Sequence, residues 1–176
     1  MIAALQLPVA LTARGGSVVL RRARLDDLDA LIRLLSDDAV SASRGDQADP
    51  ADLPAYRTAL AEIIDDPSND VLLVVDDVDR PLATMQLTRI PGMARRGSTR
   101  LLVEAVRVAS ELRSGGIGSA MMRWVTDVAA PATRSSLVQL TSDEARIDAH
   151  RFYERLGFVG SHRGFKYRVE LPRTGD

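Results

Sequence analysis

The sequence predicts a single α/β domain, in which strands alternate with helices along the chain. The chain has 176 residues, of which 45% are hydrophobic, and this size and composition suit one domain with a sizeable core. Segments of strand character alternate with segments of helical periodicity. We find no internal repeat or linker that would divide the chain. The sequence therefore predicts one domain over residues 1–176, with its core at about 18–171.

In the first part of the chain, the sequence predicts a strand followed by two helices. Residues 1–13 are interpreted as a disordered leader or an edge strand, and residues 18–23 have the β-branched character of a strand. Apolar residues then recur at helical spacing over 28–35 and again over 60–64. The polar stretch 36–54 contains glycine and proline, so we predict a loop there that faces the substrate as a lid.

The middle of the chain is predicted to form a hairpin followed by a central strand. Residues 71–75 and 82–90 are apolar runs joined by a turn-prone segment, which is typical of a hairpin. After a loop at 91–97, the length and apolar content of residues 101–108 favour a central strand.

The last third is predicted to continue the alternation. A helical stripe that begins at Ile117 and includes Val128 is expected to end at Pro131. Residues 136–141 are predicted as a strand, and residues 143–156 as a helix that Gly157 stops. We expect residues 158–171 to close the fold with further strands.

Composition excludes several classes of function. The formal net charge is -1 and no cysteine occurs, so we expect no nucleic-acid partner, no anionic-membrane partner, no disulfide and no thiolate chemistry. The two histidines, His150 and His162, lie in no metal-binding spacing, so we predict no metal. The chemistry fits a cytoplasmic protein. Arginine replaces lysine almost everywhere except at Lys166, which we attribute to a GC-rich, bacterial genome.

The segment Arg113 to Gly118 is the first candidate for chemistry. It lies between a predicted strand and an amphipathic helix, whose N-terminus would present unpaired amides and a partial positive charge to an anion. Its three glycines allow close approach of the backbone, and Arg113 adds a permanent charge. The loop lacks the ending of a nucleoside-triphosphate P-loop and the setting of a dinucleotide fold. An ordinary glycine turn is the structural alternative.

The second candidate is Tyr153 on the last predicted helix. Helical spacing lets Phe152 and Leu156 pack inward while Tyr153 faces sideways with a usable hydroxyl. The alternative is a half-buried aromatic whose hydroxyl lies at the surface.

Together these segments resemble the GNAT superfamily of N-acetyltransferases. Arg113, Gly116 and Gly118 match its motif Arg/Gln-x-x-Gly-x-Gly/Ala, and residues 149–158 resemble its tyrosine-bearing motif at the expected distance. The resemblance covers residues 18–171 and is strongest over 101–158. It implies acetyl-CoA as the donor, a mixed sheet splayed beside the central strand, and direct attack by an acceptor amine.

The resemblance also implies which residues bind the donor. Main-chain groups of the segment Val106-Arg107-Val108 would pair with pantetheine. Amides of the loop would hold the pyrophosphate beside Arg113, and they belong to Ser114, Gly115, Gly116, Ile117, Gly118 and Ser119. Arg146 stands where the family often has a cofactor-binding asparagine, so Arg146 is expected either to reach a CoA phosphate or to be solvated. The pair at 95–96 is expected to bind an acidic acceptor or the CoA 3'-phosphate, or to be solvated.

Two residues are candidates for acid–base chemistry. Tyr153 matches the family's general acid, which protonates the departing thiolate. Glu104 is expected on the same strand face as Val106 and Val108, as the base that deprotonates the acceptor ammonium. An ion pair of Glu104 with Arg107 or Arg100 is the alternative.

The sequence thus predicts an acetyl-CoA-dependent N-acetyltransferase that acts on a primary amine of a small molecule or peptide. The alternative is a CoA-binding regulatory module that has lost turnover. We also predict a homodimer, whose surface would involve Trp124 or the C-terminal strands.

Overall fold

A computed structural model of the chain describes residues 1–37 and 48–170. The fold has two compact units, Met1–Leu140 and Thr141–Asp176, and each is described by itself. Of the lid predicted at 36–54, residues 38–47 lie outside the described residues. Its end is helical instead of a loop, because a 3₁₀ turn, Pro50–Asp52, leads into the helix that begins at Leu53.

The first unit is built on a six-stranded sheet whose strands follow chain order. The strands are β1 (Val9–Ala13), β2 (Gly16–Arg22), β3 (Asn69–Val75), β4 (Pro81–Ile90), β5 (Arg100–Val108) and β6 (Leu137–Leu140). Neighbours run antiparallel except β5 and β6, which are parallel. The predicted mixed sheet, the β3–β4 hairpin and the central strand are therefore confirmed, and the leader supplies the edge strand β1.

Among the described residues of this unit, three helices of eight residues or more flank the sheet, as predicted. They are α1 (Leu28–Ser36), α2 (Leu53–Asp65) and α3 (Ile117–Trp124). One core cluster joins α1 and α2 to Val71, Leu73 and Val75 of β3. Because side chains alternate along a strand, Leu72 and Val74 face the other side, where they are also fully buried. Helix α3 contacts β1 and β5.

The helical stretch that begins with α3 ends at Ala132, one residue beyond the end predicted at Pro131. A π-helical segment, Val125–Ala129, follows α3, and an α-helical turn, Ala130–Ala132, follows in turn. The wider π-helical segment changes which residues face the core. Val128, which was predicted to lie on the apolar stripe, is 49% exposed as a result. Trp124 is only 5% exposed and therefore does not supply the surface predicted for a dimer.

An arginine holds the N-terminal segment against the sheet. Arg22 Nη2 donates hydrogen bonds to the carbonyl oxygens of Ile2, Ala3 and Leu5 at 3.0–3.2 Å. Its Nε donates to the Asp70 carboxylate at 2.7 Å. Burial raises the pKa of Asp70, and the charge of Arg22 opposes this effect.

An ion cluster around the buried Arg21 fixes the start of α1. Arg21 is paired with Asp27 at 2.8 Å and with Asp79 at 2.6 Å, and the Asp27 carboxylate also accepts the Arg24 amide hydrogen at 2.7 Å. Burial raises the pKa of Asp27, but the hydrogen bonds from Arg21 and Arg24 outweigh it, so the pKa is lowered overall. The charged cluster thus ties β2 to the first helix.

The second unit contains helix α4 (Ile147–Arg155). Gly157 follows it with a φ of 88°, so the predicted stop is confirmed. The helix begins four residues later than Asp143, because the Asp143 carboxylate accepts the Ala145 amide hydrogen in a turn. The strands predicted after residue 158 do not form within residues 158–170.

In the parts of the chain that the structure describes, no helix is long and apolar enough to cross a membrane.

Candidate active site

The glycine loop between β5 and α3 has a backbone that only small residues fit. Gly116, the N-cap of α3, has a φ of 89°, and a Cβ there would lie 3.1 Å from the Arg14 amide nitrogen. A Cβ on Gly115 would lie 3.0 Å from the Leu112 carbonyl oxygen. Ser114 also has a left-handed φ, of 65°. The loop is therefore a tight, specific structure and not a generic surface turn.

The N-terminus of α3 is suited to an anion. No side chain forms a capping hydrogen bond there, and the amides of the first turn have no carbonyl partner one turn earlier in the helix. The helix dipole adds a partial positive charge at this end. Ile117, Gly118 and Ser119, which were predicted to hold a pyrophosphate, make up this turn.

Arg113 has a partner within the protein. Its Nη2 donates to the main-chain oxygen of Asp37 at 2.6 Å and lies 3.9 Å from the Asp37 carboxylate. Its Nε donates to the Val108 carbonyl oxygen at 3.3 Å, and the Asp37 carboxylate accepts the Ser110 amide hydrogen at 2.6 Å. Arg113 thus joins the end of α1 to the loop.

Arg14 is a second cation at the loop, and sequence reasoning missed it. It lies in the β1–β2 turn, and its amide donates to the Gly115 carbonyl oxygen at 3.0 Å. Its side-chain Cγ would lie 3.2 Å from a Cβ on Gly116, and the residue is exposed. The pair Gly15-Gly16 indicates a turn beside Arg14, but nothing in the sequence links that turn to residue 116.

The second half of β5 has an open edge. Strand β6 pairs with β5 only from Arg100 to Val103, whereas β5 continues to Val108. Main-chain groups beyond Val103 on that side therefore have no strand beside them within the described sheet. Val106 and Val108, predicted to pair with pantetheine, lie in this half, which leads through Ser110–Leu112 into the glycine loop.

A bulge interrupts β5 within this open half. Ala105 has a φ of 49°, and the register shifts so that Gln86 faces Glu104 while Thr84 faces Arg107. Since directly paired residues share a sheet face, Glu104 lies on the face of Arg107. The prediction that Glu104 shares a face with Val106 and Val108 by simple alternation is therefore wrong, because the bulge adds one residue.

Glu104 is accessible to an acceptor. Its side chain is exposed. Arg107 Nη1 donates to the Val106 carbonyl oxygen at 2.9 Å. The neighbouring Gln86 amide donates to Asn69 Oδ1 at 3.1 Å, which fixes a polar surface beside the carboxylate.

Tyr153 and Arg146 belong to the second unit. The Tyr153 ring is half-buried in edge-on contacts with Phe152 at 5.0 Å and Phe158 at 5.9 Å. Arg146 is the N-cap of α4. His150 Nε2 lies 2.8 Å from the Asp143 carbonyl oxygen, in a structural contact. The roles of Tyr153 and Arg146 toward a cofactor stay predictions.

The arginine pair at 95–96 lies far from the glycine loop. It precedes β5, whereas the loop follows β5, and a strand of this length separates its two ends by about 26 Å. Its φ angles are 52° and 60°. The pair therefore lies toward the opposite end of β5 from the loop. The described residues contain no group of three His, Asp or Glu side chains that could hold a metal.

Comparisons with known proteins place this site in a family. The model of the acetyltransferase (GNAT) family matches residues 28–158, while the curated proteins give no match. Among solved structures, 267 chains match. One is a transcriptional regulator from Bacillus halodurans C-125, with 34% identity over 86% of this chain and 99% of that chain and a TM-score of 0.81.

Two more distant structures show the same fold. An acetyltransferase from Trypanosoma brucei is 20% identical, over 86% of this chain and 99% of that chain, with a TM-score of 0.66. Glucosamine-6-phosphate N-acetyltransferase from Arabidopsis thaliana is 16% identical, over 86% of this chain and 97% of that chain, with a TM-score of 0.64. The family match spans the open strand, the glycine loop and the tyrosine-bearing helix, and the chain therefore belongs to the acetyltransferase (GNAT) family.

Proposed function

We propose that the protein is an acetyl-CoA-dependent N-acetyltransferase that acts on a primary amine of a small molecule or peptide. The observation that carries this proposal is the open half of β5, which leads through Ser110–Leu112 into a helix N-terminus bounded by glycines. The open strand supplies main-chain groups for an amide-rich arm, and the helix supplies a site for its phosphates. Pantetheine and pyrophosphate follow each other in CoA in the same order.

The described residues fit the donor at both ends. Amides of Ser114 and of Gly116 to Ser119 would hold the pyrophosphate, and Arg14 would neutralise part of its charge. The Gly115 amide, which was also predicted to bind it, donates to the Leu112 carbonyl oxygen at 3.2 Å. Main-chain groups of Val106 and Val108 would pair with the pantetheine amides. An amide beside the Ala105 bulge would stabilise the charge that develops on the thioester oxygen.

The chemistry proposed is direct acyl transfer. Glu104 takes a proton from the acceptor ammonium, and the free amine then attacks the thioester carbonyl carbon. The new C–N bond forms, the nitrogen releases its second proton to solvent, the C–S bond breaks, and the thiolate leaves with its electron pair. Tyr153 then donates a proton to the thiolate and regains one from solvent. The acceptor's identity, the acyl chain length, the cytoplasmic location and the single-domain organisation stay predictions.

Ligand-dependent heat stability tests the donor site. Acetyl-CoA and CoA should each raise the unfolding temperature. At a ligand concentration of a hundred times Kd, the free energy of unfolding should increase by about 3 kcal/mol. ATP should have no such effect, because it lacks the pantetheine arm that the open strand binds. If none of the three ligands stabilises the protein, the loop is a structural turn and the proposal is wrong.

Glu104→Gln tests the base. We expect kcat on an amine substrate to fall about 100-fold while the stabilisation by CoA is unchanged, because Glu104 lies outside the glycine loop. A panel of amines with detection of the released thiol would supply the substrate. Unchanged turnover in the variant would assign proton removal to another group.

A second candidate is a CoA-responsive regulatory module. The solved structure with 34% identity is described as a transcriptional regulator, and this favours the alternative. If CoA stabilises the protein but no amine on the panel causes thiol release from acetyl-CoA, the module is supported. Turnover that Glu104→Gln abolishes would support the enzyme.

A further inference from the structure

A glutamine amide lies beside the carboxylate of Glu104 on the sheet face that α1 and α2 cover. Val71 of β3 belongs to the core cluster of these helices. It is paired with Gln86 of β4, which is paired in turn with Glu104 of β5. Directly paired residues share a face, and their Cβ atoms lie about 5 Å apart. Gln86 is half-buried and Glu104 is exposed, so the glutamine lies between the core and the carboxylate.

Asn69 of β3 fixes the orientation of the Gln86 amide. The Asp70 main-chain N–H can only donate, so the Asn69 atom that lies 3.1 Å from it is the side-chain oxygen. The Gln86 atom that lies 3.1 Å from the same oxygen is therefore the amide nitrogen, Nε2. Thr88 Oγ1 donates to this oxygen as well, at 3.1 Å. Among the described residues nothing donates to Gln86 Oε1, so the amide keeps a free acceptor next to Glu104.

We propose that Gln86 Oε1 accepts a hydrogen bond from the acceptor amine and holds it beside Glu104. This inference rests on the proposed acetyl transfer and adds a residue that binds the acceptor. A primary ammonium has three N–H donors, and one of its protons goes to Glu104. The neutral amine keeps two N–H groups. One of them donates to Oε1, and the nitrogen lone pair is left to attack the thioester carbon.

The kinetics of Gln86→Met test this contact. Methionine keeps the unbranched side chain but lacks the amide oxygen. The acceptor is the best substrate among n-propylamine, 1,3-diaminopropane, glucosamine and glycylglycine, with detection of the released thiol. Its KM should rise about tenfold, which is the loss expected for a hydrogen bond to a charged group. The kcat should change little, whereas Glu104→Gln should lower kcat.

A tertiary amine separates this contact from a general disturbance of the site. The N,N-dimethyl derivative of the same acceptor has a single N–H in its ammonium form, and Glu104 takes that proton. Its inhibition constant should therefore be nearly the same in the wild type and in Gln86→Met. Gln6→Met is the matched control, because Gln6 is exposed in the N-terminal segment, and it should leave KM and the inhibition constant unchanged.

Asn69→Ala tests whether Asn69 acts through Gln86. Without the Asn69 oxygen the Gln86 amide is free to turn, so KM should rise in the single variant. In the Gln86→Met background the same substitution should raise KM no further. Thermal unfolding with and without CoA checks that each variant keeps its fold and its donor site.

The outcomes separate this proposal from acetyl transfer itself. Turnover with an unchanged KM in Gln86→Met overturns the proposal and leaves acetyl transfer standing. An equal rise in KM and in the inhibition constant of the tertiary amine also overturns it. Additive effects of the Asn69 and Gln86 substitutions would overturn the fixed orientation. If none of the four amines releases thiol from acetyl-CoA in the wild type, the enzyme is contradicted and this inference falls with it.

Discussion

Gly116 meets two requirements at once, a left-handed backbone and the absence of a side chain next to Arg14. Gly116→Ala would strain the backbone by about 1–2 kcal/mol and press its Cβ against the Arg14 amide at 3.1 Å. We expect at least a tenfold loss of CoA affinity, measured by calorimetry. Gly15→Ala is the control, because a Cβ on Gly15 meets nothing within 4 Å. Equal affinity in both variants would remove the loop from the donor site.

Arg14 should contribute charge to the same site. Arg14→Ala should weaken CoA binding about tenfold, because a hydrogen bond to a charged group contributes about 1.5 kcal/mol or more. The difference should shrink as salt is added, since the residue is exposed and its charge is screened. Arg57→Ala removes one exposed charge from α2 and should change the affinity little. An Arg14→Ala variant that binds CoA normally at low salt would show that Arg14 only supports the loop.

The residues of the loop were predictable because they lie together in the sequence. Arg113 to Ser119 carry a recognisable spacing, and Glu104 is an acid at the centre of an apolar strand. Arg14 was not predictable, since it is about a hundred positions away and reaches the loop only through tertiary contact. The partner of Arg113 was also hidden, because Asp37 approaches from the end of α1.

At the scale of elements, the bulge in β5 depends on the small side chain of Ala105. A β-branched residue is poorly tolerated at a φ of 49°, so Ala105→Val should destabilise the fold by about 2 kcal/mol. Ala105→Gly should leave stability unchanged or raise it slightly, because glycine adopts this conformation without strain. Urea unfolding of both variants measures the difference. Equal losses in the two would show that this backbone geometry is not kept in solution.

Strands and helices were predicted where hydrophobic periodicity was regular. The hairpin, β5 and both amphipathic helices of the first half follow from such patterns. The π-helical segment at Val125–Ala129 was missed because its altered spacing moves Val128 outward. The bulge was missed for a related reason, since one added residue reverses the alternation that the prediction assumed.

At the scale of the whole molecule, the buried Arg21–Asp27 pair should make stability depend on acid. The pKa of Asp27 is lowered in the fold, so its contribution is complete above its ordinary pKa of about 3.9 and is lost as the pH falls through the folded value. Asp27→Asn should cost about 2–3 kcal/mol near pH 7. This cost should shrink toward pH 3 in urea titrations.

Asp70→Asn is the control with the opposite sign. Burial raises the pKa of Asp70, so the fold disfavours the ionised carboxylate relative to the protonated one. The wild type should therefore lose stability relative to this variant as the pH rises above about 4. Parallel pH curves for the two variants would contradict the assignment of these shifts to the two carboxylates.

The bulge at Ala105 also bears on how the molecules behave when crowded. An open strand edge invites the backbone of another molecule to pair with it and begin an insoluble assembly. In β5 the residue with a φ of 49° breaks the even spacing of amide and carbonyl groups just where the edge is open, so a regular foreign strand cannot follow it for more than a few residues. The same irregularity leaves room for a small molecule whose two amides need not match a strand. The sheet can thus keep an edge exposed for a ligand without offering a template for precipitation.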